Sequence, residues 1–173
     1  MILTRREALV TGGAIAALAT LPLAARADGP VIITMKGADN GARVWFSPAG
    51  LAVAPGTTIR FENGDAGNSH TATAYSPDID DRQLRIPPDA TAWDSDYLLP
   101  GDTFEVTLTV PGVYDFYCRP HEMAGMVGRI VVGTPDDAGF AGAAADSDDL
   151  PDAALAGFPA VADILAQGSV EGG

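Results

Sequence analysis

Short apolar segments alternate with turn residues throughout residues 29–133, and this pattern constrains the fold more than any other feature of the chain. In 57–62 and 104–110 apolar and polar residues alternate, which predicts strands with one buried face. Pro and Gly residues separate the segments and mark turns. Strands of this length and spacing predict an all-β fold, an antiparallel β-sandwich. The predicted strands are 31–36, 43–47, 51–53, 57–62, 104–110, 113–118 and 129–132.

One connection between the predicted strands is much longer than the others. The segment from Tyr75 to Pro100 is polar and rich in Asp and Pro, which predicts an irregular loop or a helical turn. Its apolar residues are expected to pack back onto the sandwich, with Trp93 in the core. These residues are Trp93, Tyr97, Leu98 and Leu99.

Residues 1–27 have the composition of an export signal peptide. The paired arginines Arg5 and Arg6 resemble a twin-arginine signal, and an uncharged, mostly apolar run follows. Ala25-Arg26-Ala27 fits the small-x-small cleavage rule, so the mature chain is expected to begin at Asp28, in the periplasm or outside the cell. The alternative is an uncleaved membrane anchor. The apolar run is short for that purpose and is interrupted by Gly12, Gly13 and Pro22.

The composition changes after Gly133, where the predicted domain of residues 28–133 ends. Residues 134–150 are rich in Ala, Gly and Asp and predict a flexible acidic linker. Residues 151–173 form a C-terminal extension with one short predicted helix over 158–168, which begins near Pro159 and ends at Gly168. Its apolar face is expected to lie on the sandwich, and docking of a partner is the alternative. That face consists of Phe158, Val161, Ile164 and Leu165.

The chain is strongly acidic, with 10 basic and 23 acidic residues and a net charge of −13. Removing residues 1–27 takes away Arg5, Arg6, Arg26 and Glu7, so the mature chain has 7 basic and 22 acidic residues and a net charge of −15. This balance excludes nucleic acid as a partner, because phosphate binding needs clustered cations. It also excludes a polybasic membrane surface. A basic partner protein and simple solubility, including solubility at high salt, both remain consistent with it.

The residues with recognisable chemistry lie between two predicted strands, in the segment 117–128. Cys118 is the only cysteine; His121 follows it by three residues and Met126 follows His121 by five, while His70 lies upstream. A thiolate and two imidazoles, with a weak axial thioether, form the type 1 (blue) copper site. The sequence therefore predicts one type 1 copper ion per chain, with His70, Cys118, His121 and Met126 as ligands. The thiolate and imidazoles also suit zinc.

Phe116–His121 and Gly125–Gly128 resemble the loop Cys-x-x-His-x-x-x-x-Met of the plastocyanin and pseudoazurin group of cupredoxins, and the resemblance extends over about 30–133. It implies an eight-stranded Greek-key sandwich with copper near one end. It also implies that His121 is the point where the electron leaves, within an apolar patch to which Pro120, Met123 and Ala124 contribute. The related amicyanins place the ligand Met three residues after His, where this chain has Ala124, so Met123 is not the ligand of either pattern.

The chain departs from this family beside the first histidine. Many members have Asn at the position that Thr71 occupies here, and that Asn ties the two ligand loops together. A threonine hydroxyl can make a similar hydrogen bond, and the Thr71 N–H can reach the Cys118 sulfur. Because hydrogen bonds to the sulfur tune the reduction potential, the resemblance predicts the copper site but not its potential.

These features predict a monomeric one-electron carrier that is not an enzyme and that serves redox proteins, with a c-type cytochrome as the suggested partner. Multicopper oxidases and copper nitrite reductases need more histidines than His70 and His121, the two present. A Cys118–His121 nucleophile pair is the remaining enzymatic alternative, but no third group to orient the base is evident. The stronger alternative is a copper storage or delivery protein. Ligands drawn from separate strands favour an enclosed site over one built for exchange.

Overall fold

The computed structural model describes residues 29–173, so the predicted export signal, residues 1–27, lies outside the described residues. Two short helices, α1 (Asp152–Gly157) and α2 (Val161–Gln167), follow the sandwich, and a 3-10 helix spans Arg119–Ala124. Within residues 29–173 no helix has the length and apolar character needed to span a bilayer. The strands are β1 Val31–Ala38, β2 Arg43–Ser47, β3 Gly50–Val53, β4 Thr57–Asn63, β5 Thr73–Ala74, β6 Thr103–Leu108, β7 Gly112–Tyr117, β8 Val127–Val132 and β9 Ser169–Val170.

The strands form two packed sheets, with orders β2-β1-β4-β6 and β5-β7-β8-β3-β9. The predicted β-sandwich is confirmed, and all seven predicted strands are present with ends within two residues of those expected. Most pairs are antiparallel, but β1 with β4 and β3 with β8 are parallel, because the chain crosses between the sheets before it returns. The resemblance implied eight strands; β9, supplied by the C-terminal extension, is an additional one. β5 and β9 were not predicted because two residues are too few to show periodicity.

Aromatic side chains fill the space between the two sheets. Phe46, Phe61 and Phe116 meet edge to face, with ring centroids 4.8–6.3 Å apart. Trp93 is buried in the same core, as predicted. The expectation for the other apolar residues of the long connection holds for Leu98 but is wrong for Tyr97 and Leu99, which are exposed. Leu98 forms a β-bridge with His70, so its neighbours along the extended chain point the opposite way.

The C-terminal extension covers the outer face of the second sheet. Every residue of β7 and β8 is buried, whereas burial alternates along β6. Continuous burial along β7 and β8 is expected because both faces of these strands are covered. Ile164 of α2 is buried against Val113 and Val131. The helix predicted over 158–168 thus corresponds to α2, and its apolar face lies on the sandwich. β9 then pairs with β3 and extends the sheet.

Residues 134–150, predicted to be a flexible linker, lie along the domain and are hydrogen-bonded to it at several points. Ala141 N–H donates to the Pro111 carbonyl, and the Ala145 carbonyl accepts hydrogen bonds of 3.0 Å from the side chains of Gln83 and Arg85. These contacts are made largely by backbone groups of the segment. Its composition could therefore not reveal them.

A cluster of three buried charges attaches the extension to the sheet. The Asp115 carboxylate, on the outer face of β7, accepts hydrogen bonds from Arg129 at 2.7 and 3.0 Å and from Arg85 at 3.0 Å. The Phe158 ring lies 5.0 Å from both guanidinium groups, and Arg129 also donates to the Pro159 carbonyl at 3.0 Å. A buried carboxylate needs this degree of pairing to offset its lost hydration. The cluster therefore couples the position of the extension to the centre of the sheet.

Candidate metal centre

The strand pairing brings the four predicted ligands to one end of the sandwich. β7 ends at Tyr117 and its antiparallel partner β8 begins at Val127, so the connecting loop that holds Cys118, His121 and Met126 closes this end. Thr73 of β5 pairs with Tyr117, which brings His70, three residues before Thr73, to the same end. His70 and Cys118, which are 48 positions apart in the chain, are thereby placed side by side.

The thiol and the two imidazoles converge on one point. The Cys118 Sγ atom lies 3.5 Å from His70 Nδ1 and 3.4 Å from His121 Nδ1. One donor atom from each of the three residues lies within 4.8 Å of the others. His70 and Cys118 are fully buried and His121 is partly exposed. This donor set fits a thiophilic ion such as copper or zinc.

Met126 is buried beside this group and is held there by its backbone. Its carbonyl accepts the Cys118 N–H at 3.0 Å, and its N–H donates to the His121 carbonyl at 3.1 Å. The reversal of the chain between them ends at Gly125, whose φ of 80° favours glycine. These bonds set the position of Met126 relative to both other residues of the loop.

Thr71 makes both of the contacts expected where the family has Asn. Its N–H donates to Cys118 Sγ at 3.3 Å, and its hydroxyl oxygen accepts the Arg119 N–H at 2.9 Å, which joins the two ligand loops. Burial raises the pKa of Cys118 to about 11, although the N–H groups of Thr71 and His121 oppose the shift. The thiol is therefore protonated at neutral pH, and a metal ion must displace that proton when it binds.

The two histidines have different surroundings. His70 Nε2 lies 3.1 Å from the carboxylate of Asp65, whereas no protein group within residues 29–173 hydrogen-bonds His121 Nε2. Burial lowers the pKa of both histidines, and Asp65 partly offsets this shift at His70. For Asp65 itself, burial raises the pKa, but hydrogen bonds from Asn68, Gly67 and His70 outweigh it and hold the pKa below its ordinary value. Asp65 was not predicted from the sequence, because no spacing rule links a carboxylate to a histidine five residues later.

A buried aromatic and ionic network supports the 3-10 helix that carries His121. Tyr75 and Tyr117 stack with centroids 4.3 Å apart, and the Tyr75 hydroxyl donates to Glu122 at 2.7 Å. Arg82 donates to both oxygens of Glu122 at 2.7 and 2.9 Å and lies over both rings. None of these contacts was predicted from the sequence. They fix the residue next to His121 against the flank of the sandwich.

Comparisons with known proteins identify the family of the chain. Residues 33–133 match the family model described as copper binding proteins, plastocyanin/azurin family. The chain is 43% identical over 129 residues to the chloroplastic plastocyanin of Chlamydomonas reinhardtii, covering 74% of this chain and 82% of that one. It is 39% identical over 98 residues to the plastocyanin of Lactuca sativa, covering 56% of this chain and 94% of that one. The crystal structure of pseudoazurin from Methylobacterium extorquens AM1 matches with a TM-score of 0.48 at 25% identity, covering 75% and 83% of the two chains. The chain belongs to the plastocyanin/azurin family of copper-binding proteins.

Proposed function

We propose that this protein is a one-electron carrier of a compartment outside the cytoplasm, with one type 1 copper ion held by His70, Cys118, His121 and Met126. The observation that carries the proposal is the convergence of two Nδ1 atoms on the buried Cys118 sulfur at one end of a packed sandwich. Copper in such a donor set cycles between its +1 and +2 states and so carries one electron. No second substrate site is needed for this role, and we propose no enzymatic activity.

The surroundings of the donors suit fast electron transfer. His70 and Cys118 are buried and are hydrogen-bonded to Asp65 and Thr71 respectively. Cys118 directly follows β7, and His70 forms a β-bridge with Leu98. Donor atoms held in this way move little when the charge of the metal changes, so the reorganisation energy is small. The packed interior opposes larger movements.

His121 is the proposed exit for the electron. It is the partly exposed member of the set, and apolar residues around its loop are exposed, with Met123 at 76%. Leu99, 61% exposed, follows the residue that pairs with His70 and adds to the apolar surface at this end. A partner that packs on these side chains comes close to the imidazole edge. The apolar patch, here defined as Leu99, Pro120, Met123 and Ala124, is therefore the proposed contact surface.

The charge of the protein favours a basic partner. Within residues 29–173 every arginine forms an ion pair with a carboxylate, so these cations contribute little free positive charge to the surface. Many of the aspartates are exposed without an arginine partner, several of them on the C-terminal extension. Complementary charge raises association rates, so we propose that the monomer exchanges electrons with a basic redox protein such as a c-type cytochrome.

The rate of electron exchange with a basic cytochrome should fall as salt is added. Between about 0.01 and 1 M ionic strength the screening length falls from about 30 Å to about 3 Å. Since electrostatic steering raises association rates by about 10- to 1,000-fold, we expect a decrease within that range, measured by stopped-flow absorption. An acidic cytochrome of similar potential is the control and should react faster as salt rises. A rate that is independent of salt would contradict the proposed partner.

An absorption titration tests the proposed function directly. The mature chain from Asp28 is mixed with copper(II), then reduced and reoxidised. An intense blue band that disappears on reduction and returns on oxidation is expected, because the copper(II)–thiolate bond gives rise to it. Bound copper without this band would favour the alternative of storage or delivery. Rapid loss of copper to an added chelator would support that alternative as well.

Replacement of Met126 by leucine should leave copper bound and raise the reduction potential, because a weak axial donor to copper(II) is lost. Met123→Leu is the matched control: it makes the same change in the same loop at an exposed position. Its potential should equal that of the wild type. Cyclic voltammetry measures both variants, and an unchanged or lower potential in Met126→Leu would argue against the axial role.

A further inference from the structure

Asp65 is a buried carboxylate that contacts one of the proposed copper ligands, His70. Its side chain is only 7% exposed, and one oxygen accepts the Gly67 N–H at 2.8 Å. The other oxygen accepts the Asn68 amide at 2.7 Å and lies 3.1 Å from His70 Nε2. All of these donors belong to the loop 63–70, and the Asp65 N–H is itself held by the Asn63 side chain at 2.9 Å.

The neighbouring strand leaves room for this carboxylate. Gly37 of β1 lies against Asp65 so closely that a Cβ atom at position 37 would overlap the carboxylate. Its φ is not in the left-handed region, so the close approach, and not backbone conformation, is the reason that glycine fits here.

The Asp65 carboxylate has no lysine or arginine partner within residues 29–173. In this range all the arginines form ion pairs with other carboxylates, and His70 is a hydrogen-bonding partner of Asp65. A buried carboxylate costs free energy unless it is compensated. On the opposite side of the His70 ring, Nδ1 faces the Cys118 sulfur. Along the line from Asp65 through the His70 ring, the nearest positive charge is therefore the metal ion that His70 is proposed to bind.

We propose that Asp65 is a positioning residue of the copper centre: it accepts the His70 Nε2–H, leaves Nδ1 free to bind copper, and by its negative charge favours copper(II) over copper(I). The proposal rests on the proposed copper site. In metalloproteins a carboxylate that accepts the distal N–H of a ligand histidine fixes its tautomer and makes it a stronger donor. His121, which has no such partner, remains the more weakly held of the two histidines.

The test replaces Asp65 by asparagine, which keeps the size of the side chain and an oxygen acceptor but removes the charge. The ratio of copper(II) to copper(I) affinity should fall about tenfold, at the lower end of the effects seen for such outer residues. This corresponds to a rise of about 59 mV in the one-electron potential. Asp163→Asn, an exposed carboxylate on α2 outside any ion pair of the described residues, is the control for loss of one charge. Its potential should remain near that of the wild type.

A potential of Asp65→Asn that equals that of Asp163→Asn would overturn the proposal, since a merely structural role would lower stability without moving the potential. A second measurement, made on the wild type, tests the proposal even if the Asp65→Asn variant does not fold. In the reduced, diamagnetic wild type, nitrogen-15 NMR should show a slowly exchanging, strongly downfield Nε2–H proton on His70 and none on His121. Its absence on His70 would also overturn the proposal. A wild type without a blue band would instead overturn the proposed function, so the two failures are distinguishable.

Discussion

Replacement of Cys118 by serine should abolish the blue band of the copper(II) protein while the sandwich remains folded. The band arises from the copper–thiolate bond, and a hydroxyl is a harder and much weaker ligand for copper. Cys118 is fully buried, but serine is slightly smaller and keeps the N–H that donates to Met126. Titration with copper(II), followed by visible absorption, measures the loss. Far-UV circular dichroism of the metal-free variant checks the fold.

A companion variant separates loss of the ligand from disturbance of the loop. Thr71→Ala retains the N–H that reaches Cys118 Sγ and removes the hydroxyl that accepts the Arg119 N–H. It should therefore remain blue, with at most a shift of the band and the potential. A blue Cys118→Ser variant would refute the ligand assignment. A colourless Thr71→Ala variant would mean that the hydrogen bond between the ligand loops is required to form the blue copper site.

Replacement of Asp115 by alanine should lower the free energy of unfolding by about 3–5 kcal/mol, because it leaves two buried arginines without their carboxylate. This is a large part of the roughly 5–15 kcal/mol that stabilises a typical domain. Arg85 and Arg129 both donate to Asp115, and Phe158 of the extension lies over both. Urea unfolding of the metal-free protein measures the effect.

The chain contains a matched control for this variant. Arg60 and Glu105 form a cross-strand ion pair like that of Arg129 and Asp115, but on the exposed face of the other sheet. Glu105→Ala should cost no more than about 1 kcal/mol, as exposed ion pairs usually do. If the two variants lose similar amounts of stability, burial of the charge cluster does not stabilise the attachment of the extension.

The extension changes which parts of the copper domain a partner can reach. Tyr117, directly before Cys118, is buried beneath Tyr75, Leu150 and Ala154, and the last two belong to the segment after the sandwich. α1 also packs against the loop that carries His121, since a side chain at Gly125 would meet the Ala153 carbonyl. The flank beside Cys118 is therefore covered. The end of the molecule that carries His121 and the apolar patch remains accessible, consistent with a single exit there.

Local patterns in the sequence determined the fold class and the candidate ligand set. Alternation along β4 and β6 is a property of neighbouring residues, and together with the turn residues between the apolar segments it predicted seven strands, although not their pairing. The spacing of Cys118, His121 and Met126 lies within one loop, so it could be recognised without knowledge of the tertiary structure. His70 could be included because the chain has two histidines.

The tertiary structure alone decided how that site is supported and covered. Asp65 becomes a partner of His70 through the fold of the loop 63–70 and the space left by Gly37. The pairing of Asp115 with Arg85 and Arg129 joins residues 30 and 14 positions apart. The burial of Leu98, beside the exposed Tyr97 and Leu99, depends on which residue pairs with His70. Such contacts depend on register and packing between distant segments, so they cannot be inferred from local composition.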